Sequence, residues 1–156
     1  MRPLMFPAPT LAALLGFFTL LGVDFVQAQS SLENLPRNWT GEFRWDGSTE
    51  VQGYEITILN IMPVGRNQIE ANGCGRVSTG QQSTVINVRM VVDADSLAVQ
   101  MFESQPDRRS FTTDGSHRGR ISKDLRLMAA EWQTQSTGQQ GVLQLRAGGT
   151  LICPTI

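Results

Sequence analysis

From residue 38 onward, apolar residues alternate with polar ones in short runs, and turn-forming residues separate the runs. Trp39, Gly41, Phe43 and Trp45 fall on one face of the first run, with Thr40, Glu42 and Arg44 on the other. Tyr54 to Met62 follows, ending at Pro63 and Gly65. Gln68 to Val77 carries Cys74 between Gly73 and Gly75, which predicts a bent or bulged strand there. Thr84 to Val92 alternates Thr84, Ile86, Val88, Met90 and Val92 on one face, and Ser96 to Glu103 aligns Leu97, Val99 and Met101. Ser110 to Thr113 and His117 to Ile121 flank Asp114-Gly115, a strong hairpin signal. Leu125 to Gln133 and Val142 to Ala147 complete the series. Leu125 to Trp132 is the one segment that could be helical on propensity. A period of two, short loops and no sustained 3.6-residue period predict an all-β fold of about eight strands. The leading architecture is a single antiparallel up-and-down barrel, with a sandwich as the alternative.

Upstream the pattern is different. Arg2 is followed by no charge until Asp24, and Leu11 to Val23 is an apolar run with Thr19 as its one polar side chain. Val26-Gln27-Ala28 then offers a cleavage site before Gln29, so residues 1–28 read as a signal peptide. A retained membrane anchor is the alternative, but the run is shorter than the roughly 20 residues that span a bilayer. Residues 29–37 form a polar leader, and residues 38–156 form the barrel domain with its C-terminal tail. Secretion, or export to a periplasm, is the expected destination.

Removing residues 1–28 takes away Arg2 and Asp24 and leaves the net charge near −1. That balance argues against a nucleic-acid binder, which needs a basic excess. In an exported chain Cys74 and Cys153 are most simply a disulfide. Closing a loop of about 80 residues is worth roughly 4 kcal/mol in the chain-entropy account. Two Cys and one His at these separations do not make a zinc spacing, so neither a metal nor a cofactor is expected. Ser78-Thr79-Gly80-Gln81-Gln82 recurs as Ser136-Thr137-Gly138-Gln139-Gln140 between later runs, which reads as one turn chemistry used twice, with Gly at positive φ. Asn38-Trp39-Thr40 fits the N-glycosylation pattern.

Trp39-Thr40-Gly41-Glu42-Phe43 in the first run and Leu143-Gln144-Leu145-Arg146 in the last resemble the avidin and lipocalin group of small secreted barrels. In that group a Gly-x-Trp or Trp-x-Gly element opens the first strand, and a basic residue of the last strand packs over the Trp. The departures are Asn38 where a Gly is expected and Arg146, which alternation points away from Leu143 and Leu145. The resemblance implies a barrel and no particular ligand. Small periplasmic protease inhibitors use the same scaffold.

Candidate chemistry is sparse. The single histidine, His117, lies beside the Asp-Gly turn and reads as a solvated turn residue. Glu103, Asp107, Asp124 and Glu131 are the carboxylates that a hydrolase could pair. Glu131 stands beside Trp132 in an otherwise apolar run, so it is either outward or a polar anchor at the barrel mouth. Positive charge concentrates in Arg108, Arg109, His117, Arg118, Arg120, Lys123 and Arg126. A two-residue turn would set Arg109 opposite Arg120, a pair that an anion or a partner surface could bridge. The leading expectation is a non-catalytic barrel holding a small, partly apolar ligand, with Trp45, Tyr54, Glu131 and Trp132 as contacts. An inhibitor or other protein-binding module, with Arg109, His117, Arg118 and Arg120 as contacts, is the alternative. A small hydrolase comes last and needs His117 or two carboxylates to converge in a cleft.

Overall fold

The structure, a computed structural model, describes residues 32, 34–105, 115–134, 136–150 and 153. Eight strands follow in chain order: β1 (Asn38–Trp45), β2 (Val51–Gly65), β3 (Gln68–Thr79), β4 (Gln82–Asp93), β5 (Ala98–Ser104), β6 (Gly115–Ile121), β7 (Leu127–Thr134) and β8 (Gln140–Ala147). Each pairs antiparallel with its neighbour in sequence, and β1 pairs with β8, so the sheet closes into a barrel. The closure satisfies both edges of every strand and removes the sandwich alternative. The period of two decides which side chains face inward. Ile86, Val88, Met90 and Val92 of β4 are buried, while Asn87 and Arg89 between them are exposed. Leu127 to Thr134 alternates exposed and buried throughout, so this segment is a strand despite its helix-forming composition. Burial of one face outweighs a propensity difference of a few tenths of a kcal/mol per residue.

Both copies of the Ser-Thr-Gly-Gln-Gln element lie in turns at the same end of the barrel, β3–β4 and β7–β8. Gly80 and Gly138 have φ of 58° and 69°. At the opposite end, Leu32 and Leu35 of the segment read as a polar leader are buried in the core, and the Trp39 indole donates to the Pro36 carbonyl at 2.9 Å. The leader's two apolar side chains thus pack where β1 begins, which its polar composition concealed.

Two further expectations need correction, and the cysteine pair is as expected. The register shifts lie in β2 rather than β3: Ile58 pairs with Gly73 and Asn60 with Asn72, leaving Leu59 extra, and Pro63 pairs with Ile69 and Gly65 with Gln68, leaving Val64 extra. Cys74 faces outward and is nevertheless buried, bonded to Cys153 with Cα atoms 5.6 Å apart. The second correction concerns β6, which pairs with β5 on one side and β7 on the other. Arg120 therefore sits between Ala98 and Ala129, and Arg118 between Gln100 and Glu131. Both edges of β6 are thus occupied by β5 and β7, and Arg109, the residue expected opposite Arg120, lies outside the described residues. Arg108 and Asp107 lie outside them as well.

Candidate functional site

At the end of the barrel that holds the β1–β2, β3–β4 and β7–β8 turns, the inward face changes from aliphatic to aromatic and polar. Alternation from Val99 and Met101 brings Glu103 inward on β5, alternation from Ile58 and Ile56 brings Tyr54 inward on β2, and alternation back from Ile121 brings His117 inward on β6. The three side chains meet. His117 Nε2 lies 2.6 Å from Glu103 Oε1, and the Tyr54 hydroxyl donates to the same oxygen. His117 is 2% exposed and Glu103 8%. Because a carboxylate only accepts, the imidazole donates from Nε2, and in the neutral ring Nδ1 is then an acceptor. Nδ1 is buried and has no partner, and neither has the buried side-chain oxygen of Gln52. Burial raises the Tyr54 phenol well above its ordinary range, and the charge and hydrogen bond of Glu103 add to the shift. The phenol therefore stays protonated and remains a donor.

Aromatic rings surround this group. Phe43 and Trp45 meet edge to face with centroids 4.9 Å apart, and Trp45 meets Trp132 at the same distance. The Phe43 ring is 6.0 Å from the His117 ring. Two glycines make the rings' positions possible. A Cβ on Gly141 would lie 2.4 Å from the Phe43 ring, and one on Gly115 would lie 2.5 Å from the Trp132 ring. Phe43, Trp45, Gln52, Tyr54, Glu103, His117 and Trp132 enclose a recess whose free volume is about 10 Å³. That is room for about one water with the side chains where they stand. Below it, side chains such as Ile56, Met90, Met101 and Leu143 pack the interior solidly.

Of the expected ligand contacts, the fold gathers Trp45, Tyr54 and Trp132 and leaves out Glu131, which is exposed on the outer face. The buried carboxylate is Glu103 instead, paired with a histidine rather than with a second acid. His117 is not a solvated turn residue, because it lies within β6 and its inward position was set by register with Ile121. The signal that would have found the triad was the same alternation that placed Met101 and Tyr54, extended by one more step. Gln52 carried no signal of its own.

Arg118 and Arg120 are exposed on the outer face of β6. Arg118, Ser116, Glu131 and Gln133 line a shallow external groove of about 560 Å³, where positive and negative side chains are interspersed. The inward His117 is not part of that surface. Among the described residues no cluster of His, Cys, Asp and Glu could hold a metal ion. No helix of the described residues is long and apolar enough to cross a membrane. Comparison with protein-family models, with curated proteins and with solved structures gives no match for this chain.

Proposed function

We propose that the chain is exported and acts as a non-catalytic binding barrel, holding a small, partly apolar ligand at the aromatic end of its interior. The observation that carries this reading is the unpartnered Nδ1 of His117, buried among Phe43, Trp45 and Trp132. A polar atom buried without a partner costs about 1–3 kcal/mol, and an aromatic surround with one or two such atoms is the usual composition of a small-molecule seat. The packed lower interior limits the ligand to the mouth. The free volume requires Trp45, half-buried at the end of β1, to move for anything larger than water. His117 and Glu103 converge, but in a recess with room for about one water rather than in a cleft, and no nucleophile accompanies Nδ1 among the described residues, which favours binding over catalysis. The disulfide and the apolar N-terminal run support an oxidising, extracytoplasmic compartment. Native mass spectrometry of the protein purified from its own host tests the reading. The expected result is one retained small molecule per chain, released on denaturation, and a bare protein mass would count against it.

One observation favours a second reading, a protein-binding module or inhibitor acting through its loops. The β2–β3 hairpin presents Leu59, Met62 and Val64 to solvent, with Leu59 66% exposed. Photo-crosslinking from position 64 in the host's extracytoplasmic fraction separates the two readings. A single discrete protein adduct supports this one and its absence removes it.

A further inference from the structure

We infer that the ligand is a neutral, planar one- or two-ring molecule bearing an N–H or O–H group, which donates to His117 Nδ1 while its ring takes the place of the Trp45 indole. The inference rests on the binding reading above and narrows its ligand class. Three features of the recess lead to it.

The first is the hydrogen-bonding sense of the recess. Glu103 already accepts from both Tyr54 and His117, and the Tyr54 hydroxyl is committed to that bond. The buried polar atoms of the recess without a partner are His117 Nδ1 and the Gln52 oxygen; the oxygen accepts, and so does Nδ1 in the neutral imidazole that the inference takes. A ligand that satisfies them must donate.

The second is shape. Phe43 and Trp132 both contact Trp45 edge to face, with interplanar angles of 90° and 88°. Trp45 is therefore a flat ring held between two other rings. Phe43 and Trp132 are buried, whereas Trp45 is only half-buried and adjoins the Asp46-Gly47 turn, with Gly47 at φ 75°. Swinging its indole outward leaves a slot shaped for one aromatic ring system, and edge-to-face contacts reward an aromatic occupant.

The third is charge. The recess holds the Glu103 carboxylate, and the nearby arginines of β6, Arg118 and Arg120, point to the outer face. An anionic ligand would bring a second negative charge into a buried recess whose lining residues include no lysine or arginine.

The test uses the mature chain with its disulfide intact and compares indole with N-methylindole and phenol with anisole, with benzoate as the anionic control. Binding is followed by Trp fluorescence and by the 15N resonance of His117 Nδ1. Indole and phenol are expected to bind and to shift that resonance. Their methylated counterparts, which leave Nδ1 without a donor, are expected to bind at least about fivefold more weakly. Trp45→Ala, which opens the slot and leaves Tyr54, Glu103 and His117 untouched, is expected to bind indole more tightly than the wild type and to keep the preference over N-methylindole. Equal binding of donor and methylated ligands, or preferential binding of benzoate, overturns the inference and leaves the binding reading standing. If no ring binds either protein and Nδ1 reports only a bound water, both are overturned.

Discussion

Glu103 accepts two buried donors on one carboxylate oxygen, so removing it strands both. Glu103→Ala is expected to cost about 3 kcal/mol, because the Tyr54 hydroxyl and His117 Nε2 would be left buried and unpaired. Tyr54→Phe removes one donor from an acceptor that keeps another, so its cost should be nearer 1 kcal/mol. Urea denaturation of the two variants measures the difference, and equal costs would contradict the shared-acceptor geometry. The phenol also gives a pH dependence. Its pKa is raised by burial above the ordinary value of 10.0, so the folded chain holds a proton that the unfolded chain loses. The resulting stabilisation is complete below about pH 10 and is lost as the pH climbs toward the folded pKa. The urea midpoint should therefore fall above pH 10 in the wild type and fall less in Tyr54→Phe.

The strands were legible from alternation because one face of each is buried, and a one-residue slip would turn the whole set over. The turns were legible where a glycine was required. Gly80 and Gly138 both adopt the left-handed conformation, and nothing lies within 4 Å of the Cβ that either would gain. Substitution by Ala is therefore a backbone effect alone, expected to cost about 1 kcal/mol at each site. The two costs should add in the double variant, since the turns are separate, and thermal or urea unfolding checks both statements. The succession of neighbouring strands was legible too, and less legible was where β6 begins. The Asp114-Gly115 pair is a strong local signal, yet β6 takes β5 and β7 as partners. Closing the barrel satisfies both edges of β6, and no local turn preference of about 1 kcal/mol competes with two complete ladders.

For the whole molecule, the barrel has two unlike ends. One is packed by Leu32, Leu35 and Trp39 and the other carries the aromatic recess. The disulfide, spanning 79 residues, ties the tail to the outer face of β3 and is worth up to about 4 kcal/mol. Leu35→Ala leaves a cavity under β1 and is expected to cost about 3 kcal/mol, measurable by urea unfolding of the mature chain. A cost below about 1 kcal/mol would mean that the leader contributes little to the core.

Sequence alone determined the fold class, the inward faces, the twin glycine turns and the cysteine pair, because each follows from local periodicity, local backbone chemistry or simple counting. Tertiary structure alone decided that His117, 14 residues along the chain from Glu103 and 63 from Tyr54, shares a buried carboxylate with that tyrosine. It also decided that Glu131, for all its apolar neighbours, faces solvent. The physical reason is register. Alternation fixes which side of its strand a residue occupies, whereas the barrel's closure and the stagger of its strands fix which inward residues stand at the same height.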